Sequence, residues 1–305
     1  MIRRAASRLV GLGAALTIAA CNQGAPAPGK PLVITTVYPL YEFARQVAGS
    51  SVQVVSLVPP GTEPHDWEPS PHDLTRIREA RLFIYNGAGL EPWVPKLLQH
   101  AADFTIVMVR ATEGIPLLAP SSAPQPGDHS GADPHVWLDP VLARSMVETI
   151  RAGMAKAIPA QGALFAENAR AFMARLEQLH RAFEHGLEHC ARRDVVTSHA
   201  AFAYLARRYR LNIVPVMGLA PESEPSPAEL ASIVRFAREK KVKYIFFETL
   251  VSPRLADTLA REIGAQTLVL DPVEGVRPEE AAAGKGYISI MEQNLKNLRL
   301  ALDCQ

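Results

Sequence analysis

The sequence predicts an α/β protein: two similar lobes, each a mostly parallel sheet flanked by helices, joined by one long rigid helix. Three observations lead there. Short apolar runs rich in Val, Ile, Phe and Tyr alternate with segments of helical periodicity. That alternation occurs twice along the chain. Between the two series lies a proline-free stretch whose apolar residues recur at helical steps. Strands separated by helices of this length imply parallel pairing, because parallel neighbours need a long crossover connection.

The elements follow in order. Arg3, Arg4 and Arg8 make a basic start, and an uncharged apolar stretch over 9–20 ends in Ile18-Ala19-Ala20 before Cys21. A basic region, a short apolar region and small residues describe a secretory signal peptide over 1–20. The apolar run falls short of the roughly twenty residues that span a bilayer. Ile-Ala-Ala-Cys resembles the bacterial lipobox, which implies that Cys21 is lipidated and becomes the mature N-terminus. Residues 21–30, rich in Pro, Gly and Ala, then read as a flexible tether. The body is expected outside the cytoplasm, periplasmic or at the cell surface, held at a membrane by its acyl chains.

The first lobe is expected over 31–159, with strands at 32–37, 52–58, 82–85 and 104–109 and helices at 38–47, 71–80, 91–100 and 140–157. The joining helix is expected over 160–190, where Phe165, Phe172, Leu176, Leu179, Phe183 and Leu187 recur at steps of three, four or seven. A helix of that span is about 45 Å long. The second lobe, 191–305, repeats the pattern with strands at 194–197, 212–216, 244–247 and 267–270 and helices at 200–210, 227–240, 253–263 and 287–302. In the 227–240 helix, Leu230, Ile233, Val234 and Ala237 fall on one face.

Charge and cysteine content narrow the partners. The chain holds 32 Lys+Arg against 31 Asp+Glu; without Arg3, Arg4 and Arg8 the count is 29 against 31, a net charge of −2. No basic surplus is present to recruit nucleic acid. Cys190 and Cys304 remain after Cys21, and in an exported protein they are candidates for one structural disulfide.

The chemistry lies where the strands end. His65 sits in Gly61-Thr-Glu-Pro-His-Asp-Trp-Glu-Pro69, after the second strand, and His135 in Asp133-Pro-His-Val-Trp-Leu-Asp-Pro140, before a helix. His199 follows the first strand of the second lobe, and Asp271 follows its fourth. Open α/β sheets bind ligands beyond the carboxyl ends of their strands, so two facing lobes bring all four side chains towards one cleft. Three imidazoles and a carboxylate are a donor set that Zn²⁺ accepts in tetrahedral geometry. Imidazole does not suit Mg²⁺ or Ca²⁺; Mn²⁺ is better served by one more carboxylate, and copper and nickel stay open. Ligating histidines usually donate their second N–H to a carboxylate or carbonyl. Asp66, Asp139 and Glu248 are the candidate partners. Protons compete for the same nitrogens, so binding is expected to weaken as pH falls towards about 6.5. His72, His100 and His180 have no such context and read as surface residues; His185 and His189, at i and i+4, read as a solvated face.

The residues resemble a known family, the zinc and manganese solute-binding lipoproteins of ABC importers, the ZnuA-like group. The resemblance runs from Leu32 onward and rests on Pro64-His-Asp-Trp-Glu-Pro69, Tyr85-Asn-Gly-Ala-Gly-Leu-Glu91, Asp133-Pro-His-Val-Trp-Leu-Asp-Pro140, Thr197-Ser-His-Ala-Ala-Phe202 and Phe246-Phe-Glu-Thr-Leu250. It implies two α/β lobes on one rigid helix, with a metal site between them carried by His65, His135, His199 and Asp271, the fourth place being one that in some zinc members is weak or taken by water or a nearby Glu. Manganese members tend to have Glu where His199 stands, so the resemblance implies zinc ahead of manganese. It implies delivery to an importer permease by a monomer. Many zinc members from diderm bacteria carry a long His-rich loop before the second ligand, whereas the loop at 119–132 holds only His129.

Other readings stay open at this point. Three histidines with a free fourth position also build catalytic zinc sites. No His-Glu-x-x-His is present and no nucleophile or general base stands beside the set, so no enzymatic activity is expected. Manganese delivery and an adhesin-type metal-binding lipoprotein are the alternatives to zinc transport.

Overall fold

A computed structural model describes residues 29–99, 105–120, 131–219 and 225–305. The expected signal peptide, Cys21, the tether up to residue 28, His100 and His129 lie outside the described residues.

The first lobe contains β1 (Leu32–Thr35), α1 (Tyr38–Ala48), β2 (Gln53–Ser56), α2 (Pro71–Glu79), β3 (Leu82–Tyr85), α3 (Val94–Gln99), β4 (Val107–Arg110) and α4 (Pro140–Ala157). Its four strands are parallel in the order β2-β1-β3-β4. All four residues of β1 are buried, as a central strand covered on both faces requires. The second lobe contains β5 (Asp194–Thr197), α6 (Ala203–Tyr209), β6 (Asn212–Pro215), α7 (Pro227–Glu239), β7 (Tyr244–Phe247), α8 (Arg254–Ile263), β8 (Gln266–Val269), α9 (Pro278–Ala282) and α10 (Tyr287–Ala301). Its order, β6-β5-β7-β8, also parallel, copies the first sheet. The order reverses between the first and third strands of each lobe, the place where open α/β sheets bind ligands. Helix entries are set locally: Ser70 with Asp73 and Ser226 with Glu229 form capping boxes, each followed by a proline in the first turn.

Most element ends shift by a few residues from the sequence expectation, and two of these shifts bear on the site. The last strand is Gln266–Val269, so Leu270 already belongs to the turn beyond it. Helix α6 starts at Ala203, because residues 198–202 are spent on a buried turn after β5. The short α9 has too few residues to show a period and was not expected.

Helix α5 (Gly162–Glu188) follows a 3-10 turn at Pro159–Gln161. Its 27 residues span about 40 Å. Phe165, Ala169, Phe172, Leu176, Leu179, Phe183 and Leu187 form its buried stripe. Phe172 meets Phe43 of α1 at 5.8 Å between ring centroids, and Phe183 stacks on Tyr209 of α6 at 5.0 Å. One helix thus packs on both lobes. Gly186 explains itself here: a Cβ would stand 3.0 Å from Leu295 Cδ1 of α10. Cys190, just past α5, is joined by a disulfide to Cys304, past α10. The main apolar core runs unbroken from Leu40 and Phe43 through α4 and α5 to Phe246 and Tyr287. No helix among the described residues is long and apolar enough to cross a membrane.

Hydrogen bonds stitch the facing surfaces of the lobes. Trp137 Nε1 donates to the Pro272 carbonyl at 2.8 Å, and the Tyr287 hydroxyl donates to the Trp137 carbonyl at 2.5 Å. The Tyr204 hydroxyl accepts from Leu118 N and donates to the Asp133 carbonyl, both at 2.9 Å. Gly61 N donates to the Val276 carbonyl at 2.8 Å.

Candidate metal centre

Each histidine reaches the cleft by a locally determined route. His65 lies in the long connection between β2 and α2, where Glu63 Oε2 accepts its backbone N–H at 2.9 Å and Trp67 packs edge-on against Trp93. His135 precedes a 3-10 turn at Val136–Leu138 that leads into α4. Asp133 Oδ1 stands 2.9 Å from its backbone N and 2.7 Å from its Nδ1. His199 occupies the turn after β5; the Thr197 hydroxyl holds its carbonyl at 2.9 Å, and Glu248 Oε1, at the end of β7, lies 2.6 Å from its Nδ1. The Ser198 hydroxyl donates to that same carboxylate oxygen. A carboxylate accepts, so in both pairs Nδ1 carries a proton and Nε2 is the nitrogen turned towards the cleft.

The Nε2 atoms converge with a fourth group, Glu274. One donor atom from each of His65, His135, His199 and Glu274 lies within 4.8 Å of the other three. His65 Nε2 is 3.3 Å from His135 Nε2, and Glu274 Oε1 stands 3.3, 2.9 and 3.4 Å from the Nε2 atoms of His65, His135 and His199. Corners 2.0–2.1 Å from a common centre, the usual zinc–ligand length, form a tetrahedron with edges of about 3.3–3.4 Å. Four of the six edges, from 2.9 to 3.4 Å, are therefore already near the spacing of a tetrahedral ion site, and the other two lie within 4.8 Å. His135 and His199 are fully buried, and His199 Nε2 has no hydrogen-bond partner among the described residues.

The electrostatics follow from packing carboxylates among buried imidazoles. Burial alone would push His135 down, but Asp133 and Glu274 reverse the sign and raise it to about 9. Burial also opposes the charge on His199, and Glu248 and Glu274 carry it well above the ordinary value. Burial dominates at His65 and lowers it. For Glu274, burial works against ionisation, yet His199 and His65 hold its carboxyl well below the usual range. Glu63 is pushed up to about 8 by burial and by the Glu274 charge.

The structure brings together His65, His135 and His199 but corrects the fourth position: Glu274, not Asp271, stands with them. The Asp271 carboxylate is occupied elsewhere. Its Oδ1 accepts from Val273 N at 2.8 Å and its Oδ2 from the Thr249 hydroxyl at 3.0 Å. Burial raises this carboxyl to about 6 against the pull of those two bonds. Two expected partners of the histidines are also corrected. Asp66 is exposed, and Asp139 caps α4 through Val141 N and pairs with Arg208 at 2.8 Å. Asp133 takes the orienting place beside His135, two residues before it, where a short side chain folds back on its own turn. Glu248 stands at His199. Glu274 is the other carboxylate of Asp271-Pro-Val-Glu274, and its nearness to the strand end is the one sequence signal for it. The remaining histidines stay apart: His72, His185 and His189 are exposed, and His180 Nδ1 lies 3.1 Å from the Tyr209 hydroxyl.

Comparison with known proteins identifies the family. Residues 33–301 match the family model for the periplasmic zinc-uptake complex component A, ZnuA. The zinc-binding lipoprotein AdcA of Streptococcus pneumoniae is 41% identical over 297 residues, which cover 95% of this chain and 59% of AdcA. The high-affinity zinc uptake system protein ZnuA of Bacillus subtilis is 40% identical over 300 residues, 94% of each chain. The solved Zn(II)-bound ZnuA-like domain of S. pneumoniae AdcA has a TM-score of 0.79 at 41% identity, covering 90% of this chain and 100% of that domain. With the match running from within β1 to the end of α10, the chain belongs to the ZnuA family of zinc-uptake complex components.

Proposed function

We propose that this protein captures Zn²⁺ outside the cytoplasm and delivers it to the permease of an ABC-type importer, with His65, His135, His199 and Glu274 as the ligands. One observation carries the reading: four buried or nearly buried donors, two from loops of each lobe, converge within 4.8 Å of one another, a set that an ion can draw into a tetrahedron. The relatives named for zinc binding and zinc uptake support the same cargo. Here zinc is a passenger. A catalytic zinc keeps a corner for water or substrate, whereas four protein donors fill this one, which favours a carrier over an enzyme. Loading requires the imidazoles to be neutral, so capture releases protons. The lipoprotein name of the AdcA relative supports an anchor at Cys21 in this chain.

The test is calorimetry on mature protein without Cys21, stripped by chelator and titrated with zinc and with manganese. The expected result is one tightly bound zinc and far weaker manganese, with tight zinc binding lost in the His65→Ala/His135→Ala variant. Tight manganese with weak zinc, or binding of neither, would overturn the reading.

A further inference from the structure

Glu274 reaches the cleft because of how the residues before it are held. Asp271 is fixed at both backbone groups by Asn294: its N–H donates to Asn294 Oδ1 at 2.9 Å, and its carbonyl accepts from Asn294 Nδ2 at 2.7 Å. Its side chain then turns along the chain to take the Val273 N–H at 2.8 Å, while Thr249 holds the other oxygen. Val273 is fully buried at φ 60°, a left-handed conformation that β-branched residues avoid. The bond from Asp271 Oδ1 opposes relaxation of that turn. Pro272 is pinned from the other lobe by Trp137 Nε1 at 2.8 Å. Beyond Glu274, a Cβ on Gly275 would stand 2.8 Å from Leu250 Cδ1, so the chain is confined on that side as well.

We propose that Asp271 is a positioning residue for zinc capture: through Val273 it sets the turn that aims Glu274 at the three imidazoles, and it does so without binding the ion. This rests on the reading of His65, His135, His199 and Glu274 as the zinc site. What the turn needs from residue 271 is an acceptor at Oδ1, not a negative charge. Asparagine supplies that acceptor, and its amide can donate to the Thr249 hydroxyl oxygen in place of the bond now accepted.

The experiment is zinc affinity by chelator competition for wild type, Asp271→Ala, Asp271→Asn, Glu274→Ala and the double variant Asp271→Ala/Glu274→Ala, with thermal midpoints measured alongside. D271A is expected to weaken zinc by about 10- to 100-fold, the usual cost of losing a group that orients a ligand. D271N is expected to stay within about threefold of wild type, since it keeps the acceptor. E274A is expected to lose more than D271A, and the double variant no more than E274A alone, because Asp271 acts only through Glu274. If D271A does not fold, Thr249→Val serves in its place, with a loss of a few-fold expected only while Glu274 is present. Equal losses in D271N and D271A, or losses that add in the double variant, would overturn the positioning role. Wild-type affinity in E274A would instead overturn the four-ligand reading beneath it.

Discussion

Every imidazole that binds an ion must first give up any proton on the binding nitrogen, and here two of them hold protons tightly. His135 is raised to about 9, and His199 is raised as well. The histidine window that an unperturbed value near 6.5 suggests is therefore moved upward by Asp133, Glu248 and Glu274. Zinc affinity is predicted to keep rising from about pH 6.5 to about 9. The sign reverses for the metal-free protein. A histidine raised on folding contributes stability fully present below its unfolded value and lost as pH climbs through the folded one. Melting curves should therefore fall for stripped protein and hold or rise for zinc-loaded protein across the same window. A flat affinity over that range would remove the carboxylate–imidazole account. The three histidines were legible because each stands in a distinct motif just beyond a strand or before a helix. The fourth position was only half legible: the sequence offers both Asp271 and Glu274, and which of them faces the cleft depends on the left-handed Val273, a backbone feature that no residue type at that position announces.

Among the elements, α5 and its disulfide decide how the lobes are held. The stripe from Phe165 to Leu187 was readable at helical spacing, and the same residues are the buried ones. Its packing on α1 and α6 was not readable, since a period tells which face is buried but not against what. The Cys190–Cys304 bond closes a loop of 114 residues, which the chain-entropy model values at about 4–5 kcal/mol. Cys190→Ala/Cys304→Ala is predicted to lower the thermal midpoint by several degrees while leaving zinc affinity within about twofold, because the bond lies at the far end of α5 and touches no ligand loop. Affinity falling in step with stability would mean that the helix end and the cleft are coupled. The strand order, identical in both lobes, was implied only as parallel; which strands are neighbours depends on crossover geometry that short apolar runs do not encode.

For the whole molecule, the continuous core and the hydrogen bonds from Trp137, Tyr204, Tyr287 and Gly61 across the cleft oppose a wide hinge opening. Zinc loading is predicted to change the radius of gyration by less than about 1 Å by small-angle scattering, against the roughly 20 Å expected for a body of this size; a larger change would mean that the lobes swing apart. Capture then involves ligand loops moving within a fixed frame. That two lobes face one another across a cleft was legible from ligands placed after strands in both halves. That they share one core was not, because both halves carry apolar runs of similar strength. The central claim is that one ion sits between the lobes, held by two residues from each. A crystal of zinc-loaded protein, measured on both sides of the zinc absorption edge, tests this most directly. The account predicts a single strong anomalous peak about 2.0–2.1 Å from the Nε2 atoms of His65, His135 and His199 and from a Glu274 oxygen. A peak bound by Asp271 instead of Glu274, or one on the exposed His185 and His189, would contradict it.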